Sequence, residues 1–220
     1  MSGSDSHSSK LHGDAIRPLK WGRVTLHIGG GLLVLLCYLA YFSHPQITIL
    51  SACMLAALAS LDFLRARFDS FNQFIFTHFG NFTQPHERLH VTSATWFWLA
   101  MFLVALLDHP ITYIVTLAIL TLADQAGSIV GRRFGTIPLG SGRSLQGFLA
   151  FVGVGFVSAI LALICSSLVL SSSELLLLGG AGSLAGGIAE LGSERIDDNL
   201  SVGIAVGVTV FGLSTFLQVG

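Results

Sequence analysis

Charge is what this chain has least of. Asp, Glu, Lys and Arg make up 10% of its 220 residues and hydrophobic residues 52%, whereas soluble domains carry roughly 25% charge. So few ionised groups cannot cover a water-facing surface, and lipid is the solvent that fits most of the chain. Segments 91–107, 144–173 and 200–220 hold no charged residue at all, and each approaches or exceeds the roughly 20 residues that cross a bilayer. Cysteine is also scarce. Cys37, Cys53 and Cys165 lie in apolar runs without metal-ligand spacing, which points to packing rather than disulfides or zinc. With a net charge of -1 there is no basic surface, so nucleic acid is not an expected partner.

Residues 1–20 are rich in Ser, His and Gly and contain no apolar run, which predicts a disordered cytoplasmic tail instead of a cleaved leader. The remainder, 21–220, is expected to form one transmembrane catalytic domain. Apolar runs read against their breakers predict seven helices, near 24–42, 46–64, 91–107, 111–130, 145–169, 174–190 and 200–219. Ser43-His44-Pro45, Asp108-His109-Pro110 and Ser171-Ser172-Ser173-Glu174 separate successive runs. The expected fold is therefore an all-α integral membrane bundle. All eleven Lys and Arg residues fall in the head and in loops 65–90, 131–144 and 191–199. Because positive loops stay in the cytoplasm, this split predicts a cytoplasmic N-terminus. The glycosylation patterns at Asn81 and Asn199 would then lie on the wrong side for modification.

Three acids stand out against this background. Asp62 lies 17 residues after Pro45, Asp124 lies 14 after Pro110, and Glu190 lies 16 after Glu174. At 1.5 Å per residue these are about 21–26 Å along helices crossing a core of about 30 Å, so all three should stop just inside the cytoplasmic boundary. One acid at such a depth can simply snorkel to water. Three at one depth favour a shared, hydrated pocket. His27 falls in the same layer, as a packed residue or a catalytic one. The intervening loop holds Gly131-Arg132-Arg133-Phe134-Gly135 and Gly140-Ser141-Gly142-Arg143-Ser144, whose guanidiniums and glycines suit phosphate oxygens as well as topology. Asp197-Asp198-Asn199 offers oxygen ligands for Mg²⁺, although one of the three would also cap the last helix. The Gly-rich run 179–187 sits mid-span and predicts close helix packing rather than a nucleotide loop.

Five stretches occur in order: Arg23 to His27 with Gly30; Leu61-Asp62-Phe63-Leu64-Arg65 with Phe71-Asn72; Leu122 to Gly135; Arg143-Ser144 with Gly147; and Glu190 followed by Asp197-Asp198-Asn199. Together they resemble the signature blocks of the polyprenol kinase family, which includes dolichol, phytol and CTP-dependent diacylglycerol kinases. The block from Asp124 to Gly147 is also similar to one in phosphatidate cytidylyltransferases. The resemblance implies phosphoryl transfer from CTP or ATP to a lipid alcohol, with Mg²⁺ as cofactor and membrane lipids as surroundings. It implies Asp62, Arg65, Asp124 and Glu190 as catalytic, and Asp124, Asp197 and Asp198 as metal ligands. Gly131, Arg132, Gly135, Arg143, Ser144, Gly147 and Asn199 would bind the nucleotide. The chain departs from the family pattern at Arg143, usually Lys, at Gln146, usually an acid, and at Gln84, usually an Arg three residues before the acid matching Glu87. A cytidylyltransferase making a CDP-lipid is the alternative enzyme. A lipid transporter fits less well, because only Asp108 and Glu174 place ionisable groups toward the opposite face.

Overall fold

The computed structural model describes residues 20–83, 85–139, 142–193 and 197–219. The tail 1–19, Gln84 and Gly140-Ser141 lie outside the described residues. The chain forms α1 (Trp21–Ala40), α2 (His44–Arg67), α3 (Asp69–His78), α4 (Ser93–Ala105), α5 (Pro110–Phe134), α6 (Leu145–Ile164), α7 (Ser172–Gly192) and α8 (Asp198–Leu217). A single 3₁₀ turn, Pro85–Arg88, precedes α4. A short antiparallel hairpin joins α5 to α6, with β1 (Pro138–Leu139) paired to β2 (Arg143–Ser144). Six helices, all except α3 and α4, are long and apolar enough to cross a bilayer. The protein is thus an all-helical membrane protein.

Local chemistry explains where the helices start. Ser43 and Gln46 form a capping box ahead of α2, and Ser171 and Glu174 form another ahead of α7, each satisfying amides that the first turn leaves open. His109 caps α5 with Pro110 in the first turn, where proline's missing N–H is no loss. α5 is apolar all round and is buried from Ile111 to Thr121, so it forms the axis of the bundle. Around it pack α6, α8, α1, α4 and α7. By contrast α1 and α2 leave many apolar side chains exposed and few buried, Leu33, Leu36 and Ile49 among the exposed, and lipid is the solvent that covers such a surface.

The expected span at 91–107 is shorter in the structure. α4 has 13 residues, of which eight are buried, so it is a core helix at about 20 Å long. Its N-cap is Thr92, which Asp62 holds in place, and beyond its last residue a turn follows where Asp108 adopts φ 50°, a conformation that Asp tolerates better than most residues. His44, in the first turn of α2, bonds the Ala105 carbonyl through Nε2 at 2.9 Å. α2 and α4 therefore run antiparallel with both ends tied.

Small residues set the helix spacing. A Cβ on Gly203 of α8 would lie 2.6 Å from Cβ of Ala100 on α4, and one on Gly186 of α7 would lie 2.9 Å from Val206 of α8. The Gly-rich run thus serves close packing. Gly203→Ala is expected to lose about 1–3 kcal/mol by forcing α4 and α8 apart. Gly212→Ala, where nothing lies within 4 Å, is expected to be neutral. Thermal unfolding in detergent checks both.

The end remote from the arginines is more polar than expected. Beyond Asp108 and Glu174 it holds His44 and His109. Tyr38 Oη bonds His44 Nδ1 at 2.8 Å, and Tyr113 Oη bonds Ser51 at 3.1 Å. His109 Nε2 bonds the Val219 carbonyl at 3.1 Å. Burial lowers the proton affinity of His109, so it caps α5 as a neutral ring. Isolated histidines and tyrosines carry no charge pattern along the chain, and their partners here come from separate segments.

Candidate functional site

The starts of α1, α4, α6 and α8 and the ends of α2, α5 and α7 gather at one end of the bundle. Lys20 closes its edge, donating to the carbonyls of Gly80 at 2.8 Å and Thr83 at 2.6 Å. Two polar clusters occupy this end.

The first centres on Arg143. Ser144 caps α6 by accepting the Gly147 amide at 3.2 Å, which anchors β2 and aims Arg143 at α7 and α8. Its Nη1 donates to Glu190 Oε1 at 2.7 Å, and its Nη2 donates to the Asp198 carboxylate, which Ser193 also bonds. Asp124, from α5, lies within electrostatic range of both Arg143 and Glu190. Burial works against the Arg143 charge, but Asp198 and Glu190 outweigh it and strengthen its hold on the proton. Two carboxylates from two helices thus pair with one guanidinium fork, and Asp124 from a third helix stands near them.

The remaining residues of this loop divide by role. Gly131 and Gly147 bring α5 against α6: a Cβ on Gly147 would lie 3.0 Å from the Gly127 carbonyl and 3.1 Å from Gly131 Cα. A Cβ on Gly135 would lie 2.7 Å from Ser144 Oγ. The close backbone approach these glycines permit is therefore between helices. Arg132 is exposed and donates to Ser128 at 2.6 Å. Arg133 lies over the Phe134 ring. Gln146 accepts from the amides of Thr136 and Ile137 and donates to Thr136 Oγ1, a double role that an ionised acid could not fill.

At the start of α8, Asp197 is the N-cap and accepts from the Asn199 amide and side chain, both at 3.0 Å. Burial raises its proton affinity, against the lowering by the Asn199 bonds. Asn199 also donates to the Ser93 carbonyl at 3.3 Å. Both partners of its amide nitrogen can only accept, which fixes the orientation and leaves Oδ1 buried without a partner. Asn199 is only 5% exposed, so its glycosylation pattern is inaccessible on either side of a membrane.

The second cluster centres on Asp62. One carboxylate oxygen takes Arg65 Nη1 at 2.5 Å. The other takes the Thr92 amide at 3.0 Å, the Thr92 hydroxyl at 3.1 Å and the Thr95 hydroxyl at 2.6 Å. Arg65 is 4% exposed and further holds Asn72 and the Glu87 carbonyl. Glu87 Oε1 accepts the Ser93 amide at 3.2 Å. Ser93 therefore links the two clusters, through Glu87 on one side and Asn199 on the other. His27 belongs to neither: its Nε2 donates to the Leu120 carbonyl at 3.0 Å and its ring meets Phe97 edge-on.

Thr92, Thr95 and Ser193 complete this end and had no signal in the sequence, since lone hydroxyls near helix ends are common. Among the described residues no group of three or more His, Cys, Asp or Glu side chains is arranged around a metal position. Asn199 Oδ1 is an orphaned buried oxygen, a hard donor of the kind divalent cations take, while the nitrogen of the same amide faces Asp197. Compared with family models, curated proteins and solved structures, the chain matches none.

Proposed function

We propose that this protein is a membrane lipid-alcohol kinase, moving the terminal phosphoryl group of CTP or ATP to the hydroxyl of an isoprenoid alcohol or diacylglycerol. One observation carries the reading: Arg143, Asp124, Glu190 and Asp198 converge from four elements at one end of a lipid-embedded bundle. Phosphoryl transfer depends on positioning and on charge placed around the phosphates, and a lipid acceptor requires that charge at the membrane boundary. Asp124, Asp197 and Asp198 would hold Mg²⁺, which when bound neutralises triphosphate charge. Arg143 and Arg132 would contact phosphate oxygens. Asp62 or Glu190 would orient the acceptor hydroxyl.

The sidedness follows the same reading. With α4 tied along α2 at both ends, we take it as a seventh crossing, with the N-terminus and the arginine end in the cytoplasm. A reporter fused after Gly220 is expected outside and one inserted in loop 131–144 inside; finding both on one side ends the seven-crossing scheme. The activity itself is tested with purified protein, labelled CTP and ATP, and a panel of lipid alcohols. Lipid phosphate together with CDP or ADP supports a kinase. Pyrophosphate release from CTP and a lipid phosphate would make it a cytidylyltransferase, and no turnover with any donor would sink both.

A further inference from the structure

A cleft of about 600 Å³ lies beside the Asp62 cluster, between the end of α2, the start of α3 and the segment leading into α4. Its volume falls in the range of sites for small ligands. One wall is apolar and belongs to the lipid-facing surface: Ala59, Phe63 and Ala66 recur at helical spacing on α2, and Phe63 is 68% exposed. Leu89 and Val91 on the opposite lip are exposed as well. The floor is polar, made by Asp62, Arg65 and Thr95, with Asp69 and Arg88 at the mouth.

We infer that this cleft takes the hydroxyl head of the acceptor lipid alcohol, with the chain leaving over Phe63 into the bilayer. The inference rests on the kinase reading and assigns its acceptor site. Continuity of the apolar wall with the membrane surface selects an occupant with an apolar body. The charge balance selects a neutral head. Asp62 and Arg65 pair internally, and the lining otherwise holds one acid, Asp69, and one arginine, Arg88, so its arginines do not outnumber its acids and no excess of guanidinium charge is left for a phosphate headgroup. Thr95 supplies a neutral hydroxyl on the floor; it donates to Asp62 and keeps lone pairs that can accept from an alcohol. The cleft lies at the same end of the bundle as the Arg143 cluster, and Ser93, two residues before the floor's Thr95, accepts from Asn199 at the start of α8. Acceptor and donor groups would thus approach from the two sides of the start of α8.

The test uses the full-length protein in nanodiscs and a long-chain alcohol carrying a photoactivatable diazirine near its hydroxyl, with the corresponding lipid phosphate as a second probe. Ala59 and Ala66 are exposed, so Ala66→Trp fills the cleft without disturbing the core. Leu33→Trp, on exposed α1 surface, is the control. Alcohol adducts are expected on residues 59–66 and 88–95, reduced about 10-fold or more by Ala66→Trp and unchanged by Leu33→Trp, with weaker labelling by the phosphate. Where turnover is measured, Ala66→Trp should raise KM for the alcohol about 10-fold and leave KM for the nucleotide unchanged, the split expected when only one substrate's binding is lost. Adducts spread evenly over the lipid-facing helices, adducts insensitive to Ala66→Trp, or stronger labelling by the phosphate would each overturn the site. Kinase turnover with adducts elsewhere would reject the cleft and keep the kinase; adducts in the cleft without turnover would do the reverse.

Discussion

Arg143→Ala is expected to lower kcat/KM for the nucleotide by about 100-fold or more and to destabilise the protein by about 3–5 kcal/mol. Two separate physical effects combine. On the proposed function, removing the guanidinium would deprive the nucleotide phosphates of a preorganised positive group. It also strands Glu190, which is 3% exposed, beside Asp198 and Asp124 with no counter-charge. A buried carboxylate without a partner is among the most costly single changes. Adding Glu190→Gln to Arg143→Ala removes the stranded charge, so the double variant should regain much of the stability and none of the activity. Arg143→Lys tests the fork geometry: an ammonium keeps the charge but cannot hold Glu190 Oε1 and Asp198 Oδ2 as a planar pair of donors. It should stay active, with a moderate loss expressed in nucleotide KM. Thermal unfolding and steady-state kinetics on the same preparations separate the terms. Equal, mild kinetic effects of Lys and Ala would remove Arg143 from the phosphate role.

Asp124→Asn is expected to act in the opposite sense on the two readouts. Its carboxylate accepts one hydrogen bond, from Gln125 at 2.7 Å, and stands close enough to Glu190 for the two to repel. The amide is nearly the same shape, so the helix crossing should hold and the melting temperature should stay level or rise. Activity should fall on the order of 1000-fold, because the amide cannot supply the charge that would hold Mg²⁺ beside a triphosphate. A group whose loss leaves the fold intact while turnover disappears serves chemistry. Near wild-type turnover at saturating Mg²⁺ would make Asp124 a structural acid.

The acids Asp62, Asp124 and Glu190 illustrate how far a linear pattern reaches. Their spacing from the breakers favoured one shared pocket; they lie at one end of the bundle, but Asp62 sits in a cluster of its own, apart from Asp124 and Glu190. Their partners were not legible. Asp62 and Glu190 have the same kind of position in sequence, yet one is saturated by Thr92, Thr95 and Arg65 while the other meets an arginine from a hairpin 47 residues away. The glycines of loop 131–147 were equally ambiguous, since a small residue permits backbone approach by a ligand or by another helix; contact with Gly127 shows the helix. Gln146 departs from the family pattern, and only the hairpin explains it.

Sequence alone pointed to lipid as the solvent and to the apolar spans and the turns between them, but the expected loop 65–90 contains α3, and Arg23, Arg65, Arg67, Arg132 and Arg133 lie in helix ends rather than loops. The solvent, spans and turns follow from composition and from interactions within a few residues, where propensity and capping act. The tertiary structure decided which acid meets which donor, the core position of α4, the outer His44–Tyr38 contact and the cleft beside Asp62. Those depend on segments far apart in the chain arriving at the same place, and a hydrogen bond of 3 Å has no counterpart in the order of residues along it.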